Sequence, residues 1–408
     1  MYPPGQPPGW GAPTQQWGQP PQRHHEPGAP EGLPDPERGR RRVGCVLYTG
    51  GMGCGVLSLV ALFFLLPVAI GHFEVVPSML IGAVFAFPAA IVYLTVPRLL
   101  DRYDPEPLYA LLLALAWGGV AACGFAAIVN SLVGALVSNA FGERIGEYAS
   151  AVVSAPLMEE AGKGILLLGF FYFLRREFDG VVDGIIYATF CAIGFAAVEN
   201  VIYYSGATLE GQLGGTVFMR GILTPWAHPL FTSMTGIGVG VARETSKSWV
   251  RWTAPVLGYA GAVFLHALWN GSLTVLSSVE QGGLVICMMI PLWLAFVGAF
   301  LIIVGVLVRR RGNIIRAHLV DEVALGHLSR EELELVVSAF GGLVAYFRKG
   351  SEGTEFVRAV ARLALSKWHS ARAMKGNTKT ISMDFIAPLR RKIRDLRARG
   401  ASPARGMQ

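Results

Sequence analysis

Four apolar stretches of this 408-residue chain carry acids, imidazoles or a carboxamide where hydrocarbon-facing residues are expected. One reads Ala155-Pro-Leu-Met-Glu159-Glu160-Ala-Gly-Lys163, and the next reads Phe195-Ala-Ala-Val-Glu199-Asn200. A third holds His228, with Thr232 one turn later, and a fourth reads His266-Ala-Leu-Trp-Asn270. An Asp, Lys or Arg at mid-bilayer costs roughly 2.5–3.5 kcal/mol on insertion scales, so such groups mark a function or a paired structural role. Adjacent helical residues point about 100° apart, so Glu159 and Glu160 cannot face one pocket equally. Lys163 follows Glu159 by four residues and Glu160 by three and can pair with either, which leaves one carboxylate in surplus. His266 and Asn270, four apart, share a helix face.

Depth joins these groups. At ~1.5 Å per residue, Glu159 lies ~13 Å from the outer end of its stretch, Glu199 ~8 Å, and His228 and His266 ~15 Å each. Helices that bring polar groups to similar depth predict one shared, wet cavity. A desolvated carboxylate is a stronger base toward water, and an imidazole N–H or the Asn270 amide suits a tetrahedral oxyanion. The residues Glu159, Glu199, His228 and His266 are equally a donor set for a divalent metal such as zinc. Neither HExxH nor GxSxG occurs. Asp179 and Asp183 sit at a span boundary and read as start-of-helix acids favoured by the dipole, not as an aspartyl pair. Two other classes compete with hydrolysis. A proton-coupled transporter also uses intramembrane Glu and His, but it often carries an internal repeat, which this sequence does not display. A scaffold would act through the Pro-rich head and basic tail.

The elements that position these residues are transmembrane helices. Apolar residues make up 52% of the chain and charged residues only 15%, against roughly 25% charged in soluble domains. Apolar blocks at about 45–70, 75–97, 108–137, 150–174, 181–204, 218–242, 253–276 and 284–308 each approach or exceed the ~20 residues that span hydrocarbon. The expectation is an all-α polytopic membrane helix bundle with about eight transmembrane helices. It divides into a disordered Pro/Gly-rich tail (1–42), a transmembrane peptidase domain (43–308) and a basic helical tail (309–408). The net charge of +7 comes largely from arginines flanking apolar blocks, which fits a membrane better than nucleic acid. Arg38–Arg42, Arg98, Arg102, Arg175, Arg176, Arg243, Lys247, Arg251 and Arg309–Arg311 mark one side. Arg144 and Arg220 fall on the other, so both termini are expected in the cytoplasm. Scattered cysteines with no CxxC exclude a disulfide framework. Ser329 and Glu332 form a capping box in the tail. The Ala-, Gly- and Arg-rich composition fits a GC-rich bacterial genome.

Five motifs in order resemble the PrsW family of bacterial membrane proteases, relatives of the CAAX-processing glutamate peptidases. They are Glu159-Glu160-x-x-Lys163, Asp183-Gly-Ile-Ile-Tyr187, Phe195-x-x-x-Glu199-Asn200, His228, and His266-x-x-x-Asn270, in a match that begins at Asp104-Pro-Glu106-Pro. The resemblance covers about 170 residues. It implies an intramembrane endopeptidase of the bacterial plasma membrane acting on membrane-anchored proteins. It also implies Glu159 as general base with Glu160 as its partner, and His266 and Asn270 at the oxyanion. The CAAX relatives end the second motif in histidine. Here the position is Glu199, so the water-orienting role passes to His228 or to a metal.

Overall fold

The computed structural model describes residues 36–101, 105–175, 177–277, 282–338, 340–375 and 382–404. The expected disordered head therefore lies outside the described residues as far as residue 35, and so do Arg102, Asp104 and Arg176. Among the described residues every regular element is a helix. In chain order they are α1 (36–69), α2 (Val75–Tyr93, continued by Thr95–Leu100), α3 (108–141), α4 (143–173), α5 (Val181–Leu209) and α6 (213–223). There follow α7 (Ala227–Glu244), α8 (Ser248–Ser277), α9 (Gly282–Ala324), α10 (Arg330–Val337), α11 (Gly341–Lys375) and α12 (Ser382–Ala398).

Among the described residues five helices, not eight, are long and apolar enough to cross a bilayer: Arg42–Ala69, Val75–Arg98, Leu108–Phe141, Val181–Leu209 and Trp293–Ala324. The other three expected spans are α4, the α6–α7 pair, and α8. They fall short because they carry the polar groups. Glu159, Glu160 and Lys163 interrupt α4, and His266 and Asn270 lie on α8. The sixth expected span is broken outright at Thr224-Pro225-Trp226, so α6 and α7 are separate helices. Pro229 then sits in the first turn of α7, where its missing N–H costs nothing.

The central helix is α5: 83% of its most apolar window is buried, against 11% for α1. Its neighbours approach through glycine, because without a hydrophobic drive between helices in lipid, close backbone contact carries the packing. A Cβ on Gly118 of α3 would lie 1.8 Å from the Cys191 carbonyl oxygen, and one on Gly194 of α5 would lie 2.0 Å from that of Leu115. Gly184 of α5 and Gly236 of α7 meet in the same way. The α2–α5 contact adds a 2.6 Å hydrogen bond between Ser78 and Ser205.

At the arginine-rich end, two of the sequence motifs form one clamp. The Glu106 N–H reaches both Asp101 carboxylate oxygens at 2.9 Å, and Tyr187 of α5 donates to Glu106 Oε2. Asp183 is a start-of-helix acid: its Oδ2 accepts from the N–H groups of Asp179 (2.8 Å) and Gly180 (3.1 Å). Arg311 of α9 reaches its Oδ1 at 3.3 Å. Helix α9 runs unbroken past residue 308, and its extension packs with α10, α11 and α12 around Leu319, Leu333, Phe356, Val360, Leu363 and Leu396. The Ser329/Glu332 capping box is formed (3.1 and 2.8 Å). Gly350 takes φ +61° at the kink in α11, a conformation glycine adopts without strain. This helical domain is fastened to the bundle by His369 Nε2, 2.8 Å from Asp179 Oδ2, and by Arg372 donating to the Glu244 carbonyl.

Two outcomes test this architecture. Gly118→Ala forces α3 and α5 apart and is expected to cost about 1–3 kcal/mol, read as a lower unfolding midpoint in detergent. Burial, with Asp183 and Asp101 close by, pushes the Glu106 carboxyl up to about 11 against the opposing Tyr187 hydrogen bond. The unfolded chain loses that proton near pH ~4.3 while the native state keeps it. Glu106 stabilisation is therefore whole below that pH and is lost as pH climbs toward 11. Glu106→Gln should thus show a smaller decline in unfolding midpoint than the parent between about pH 5 and pH 9.

Candidate active site

The polar groups of four helices converge. After its first turns helix α4 widens into π-helical turns at Ala149–Ser154, and regular helix resumes at Ala155 with Pro156 in its first turn. Such turns free carbonyls and recur at functional sites. Here the Ala151 carbonyl accepts from Asn270 Nδ2 (2.9 Å), and Ser154 donates to Asn130 Oδ1 (2.7 Å). One turn further along α4 come Glu159 and Glu160. The break before α7 sets His228 as the second residue of that helix, while α8 supplies His266 and Asn270.

The two glutamates diverge as their 100° separation requires. Glu160 is fully buried and fully engaged: it takes Lys163 Nζ (2.8 Å), Thr232 Oγ1 (2.9 Å) and His266 Nδ1 (3.2 Å). Glu159 faces a cavity of about 510 Å³ that is also lined by Glu199, Asn200, Arg220, His228, His266 and Asn270. Its Oε2 is buried with no hydrogen-bond partner. The nearest charged atoms are Lys163 Nζ at 3.7 Å and His266 Nε2 at 3.8 Å, both beyond hydrogen-bond reach. Lys163 thus pairs closely with one acid and leaves the other available.

The two imidazoles have their tautomers set by their neighbours. An ammonium only donates and a carboxylate only accepts. His228 Nδ1, 3.2 Å from Lys163 Nζ, must therefore carry the lone pair, and its Nε2–H points to Glu199 Oε2 at 3.0 Å. His266 gives Nδ1–H to Glu160, which leaves the Nε2 lone pair facing Glu159. Each ring is thus backed by a carboxylate. Each carboxylate is held by a cation: Lys163 holds Glu160, and Arg220, on the π-helical turns of α6, holds Glu199. One donor atom each from Glu159, His228 and His266 falls within a 4.8 Å group. That cluster could coordinate a metal, and its donor set is that of a three-ligand catalytic zinc site. Three carboxylates against Lys163 and Arg220 leave one negative charge uncompensated, which a proton or a cation must balance.

Of the residues expected at the site, Glu159, Glu199, His228, His266 and Asn270 line this cavity, while Glu160 is engaged behind His266. Glu199 stands behind His228, and the convergent group is Glu159, His228 and His266. Asn270 lines the cavity with one of its amide hydrogens committed to Ala151. Sequence reasoning missed Arg220, which it took as a loop charge marking the outer side. The available signal was that Arg220 stands alone among apolar residues, five positions before Pro225.

An all-α membrane bundle enclosing a buried Glu/His/His cluster beside a cavity supports an intramembrane protease mechanism built on glutamate and histidine. The family model described as "PrsW family intramembrane metalloprotease" matches residues 106–296. The chain is 30% identical over 199 residues to a protein named Protease PrsW from Geobacillus kaustophilus (strain HTA426), covering 48% of this chain and 80% of that one. It is 29% identical over 179 residues to the Protease PrsW of Bacillus subtilis (strain 168), covering 44% and 76%. A third relative, from Clostridioides difficile (strain 630), is 33% identical over 138 residues, covering 33% and 55%. No solved structure matches. The chain belongs to the PrsW family, and it is an intramembrane protease of a bacterial, multi-pass membrane setting.

The unequal environments of the two glutamates generate a test. Glu160→Gln leaves Lys163 buried without its close partner and is expected to cost about 3–5 kcal/mol. Glu159→Gln, at an oxygen with no hydrogen bond, should leave the unfolding midpoint in detergent close to the parent's. The reverse order of stabilities would overturn the division of labour between them.

Proposed function

We propose that the protein is an endopeptidase that cuts membrane-anchored proteins with water activated at Glu159. The observation that carries this reading is Glu159, which lines the cavity with a carboxyl that is not tied to Lys163 and whose buried Oε2 has no hydrogen-bond partner. In this reading a water held on the cavity side of Glu159 bonds to its carboxylate and to His266 Nε2, which lies 3.8 Å from Oε2. Glu159 takes its proton as the oxygen adds to the scissile carbonyl. Asn270 directs its remaining amide hydrogen at the oxyanion, and His266, steadied through Nδ1 by Glu160, orients the water. Glu159 then returns the proton to the leaving amine. Glu160 and Lys163 do not touch the reacting atoms; they fix His266 and the local charge.

A second reading has a specific observation behind it: both imidazoles are backed by carboxylates, the arrangement that orients metal-ligating histidines. The residues fit a divalent ion: Glu159, His228 and His266 would hold it. Such an ion, zinc being the first candidate, supplies Lewis-acid polarisation and a more acidic water.

The reading places the less apolar helices α4, α6–α7 and α8 within the bilayer too, shielded by the five apolar ones. The arginine-rich end and both termini then face the cytoplasm, following the basic residues gathered there. The domain boundaries expected near 42 and 308 belong to the same proposal.

Cleavage of a tethered membrane substrate by purified protein in lipid tests both readings. Glu159→Gln should reduce it at least ~100-fold, the scale of losing a general base. Full cleavage by that variant sinks the assignment. Activity that resists chelators, with metal content well below one per chain, supports the first mechanism. Loss on chelation and recovery with zinc supports the second.

A further inference from the structure

Arg220 lies in the cavity wall, and the peptidase chemistry above gives it no step. Its guanidinium is engaged on three sides. Nη2 donates to Glu199 Oε2, and Nε donates to Asn200 Oδ1 at 2.7 Å. The third contact is stacking, with Cζ 3.8 Å from the centroid of the Tyr203 ring. All three partners belong to the outer part of α5, so one side chain of α6 is locked against one face of α5. The planar fork of arginine suits this: two donors diverge in the plane while the flat face stacks, which a lysine ammonium cannot reproduce.

The same Glu199 oxygen also receives His228 Nε2–H, at 3.0 Å. Among the described residues Arg220 is the cation paired with Glu199, and the carboxylate is largely buried. We propose that Arg220 is a positioning residue: it fixes Glu199, and through Glu199 it fixes the ring orientation and Nε2–H tautomer of His228. The inference rests on His228 belonging to the active site, but it concerns a different link, the one behind the imidazole. Without the guanidinium, Glu199 keeps a single donor and a free rotamer. His228 is then no longer obliged to turn Nδ1 toward Glu159 and Lys163. The wide π-helical turns at Val217–Leu223 have a use in this scheme. They swing Arg220 toward α5, while Tyr93 satisfies the freed Gly221 carbonyl.

The proposal separates from a merely structural role in two readouts on the full chain in lipid. The first is a double-mutant cycle. Arg220→Gln and Glu199→Gln should each lower kcat about 10–100-fold, the range seen when outer partners of an active-site histidine are removed. KM should change much less than kcat, because the pair acts on His228 and is given no part in holding the substrate. The double variant should be no slower than the slower single one, because both act through one contact. Losses that multiply would overturn the proposal. The second is the ¹⁵N spectrum of histidine-labelled protein, with His228 assigned by its disappearance in His228→Asn. The parent should show the Nε2–H tautomer and Arg220→Gln a mixture. An unchanged His228 signal in Arg220→Gln would likewise overturn it. Arg220→Lys, which keeps the charge and loses the fork, should fall between the two in both readouts, and it carries the test if Arg220→Gln does not accumulate. If the parent cleaves nothing, the proposed peptidase reaction fails, while the spectrum still decides what Arg220 does.

Discussion

Lys163 has no solvent contact, and its ammonium lies 2.8 Å from Glu160, 3.7 Å from Glu159 and 3.2 Å from His228, with the Phe195 ring 4.0 Å away. Burying an unpaired charge at such a place costs several kcal/mol, so the pair with Glu160 constrains everything around it. Because Glu160 must meet Lys163, α4 is fixed in rotation, and Glu159 necessarily turns about 100° away into the cavity. Because Lys163 donates to His228, that ring cannot present a hydrogen at Nδ1. Because Glu160 also takes His266 Nδ1–H, the second ring turns its lone pair inward. The reactive geometry thus follows from satisfying one buried cation.

The bundle is built to permit this charge. A polar cluster tolerated in lipid has to be enclosed, and α5, with its glycine contacts to α3 and α7, brings backbones close enough to enclose it. The break at Thr224-Pro225-Trp226 serves the same end. Broken helices occur at membrane depth where they line a cavity, since their freed backbone groups need partners. Here Tyr93 takes the Gly221 carbonyl, and Trp293 donates to that of Leu223 at 3.2 Å. The break gives His228 its place and points Arg220 at Glu199.

The five motifs that mark the family divide in space into two kinds. Glu159-Glu160-x-x-Lys163, Glu199-Asn200, His228 and His266-x-x-x-Asn270 surround the cavity. Glu106, Asp183 and Tyr187 form the clamp at the arginine-rich end, joining α5 to the approach of α3 and, through Arg311, to α9. The C-terminal helical domain, beyond the matched residues 106–296, grips the same end through His369 and Arg372. Chemistry and scaffolding are thus interleaved along the chain and separated along the bundle axis.

Sequence alone determined the all-helical membrane class, because charge confined to a few positions in long apolar blocks has no other economical reading. It also determined that Lys163 leaves one glutamate over, since three- and four-residue spacings on a helix are fixed by its pitch. The capping box at Ser329 and the helix-start role of Asp183 were legible for the same reason: their partners are local. What only the tertiary structure decided involves partners distant in the chain. Which glutamate is spare depends on Thr232 and His266, contributed by α7 and α8. The place of Glu199 behind His228, and the recruitment of Arg220 from an apparent loop, depend on helices whose rotation is set by packing. Among the described residues length and apolarity admit five spans, and the other three expected segments fall short of that measure. Those three segments are less apolar because their polar side chains face one another across the cavity, and facing is a property of the fold.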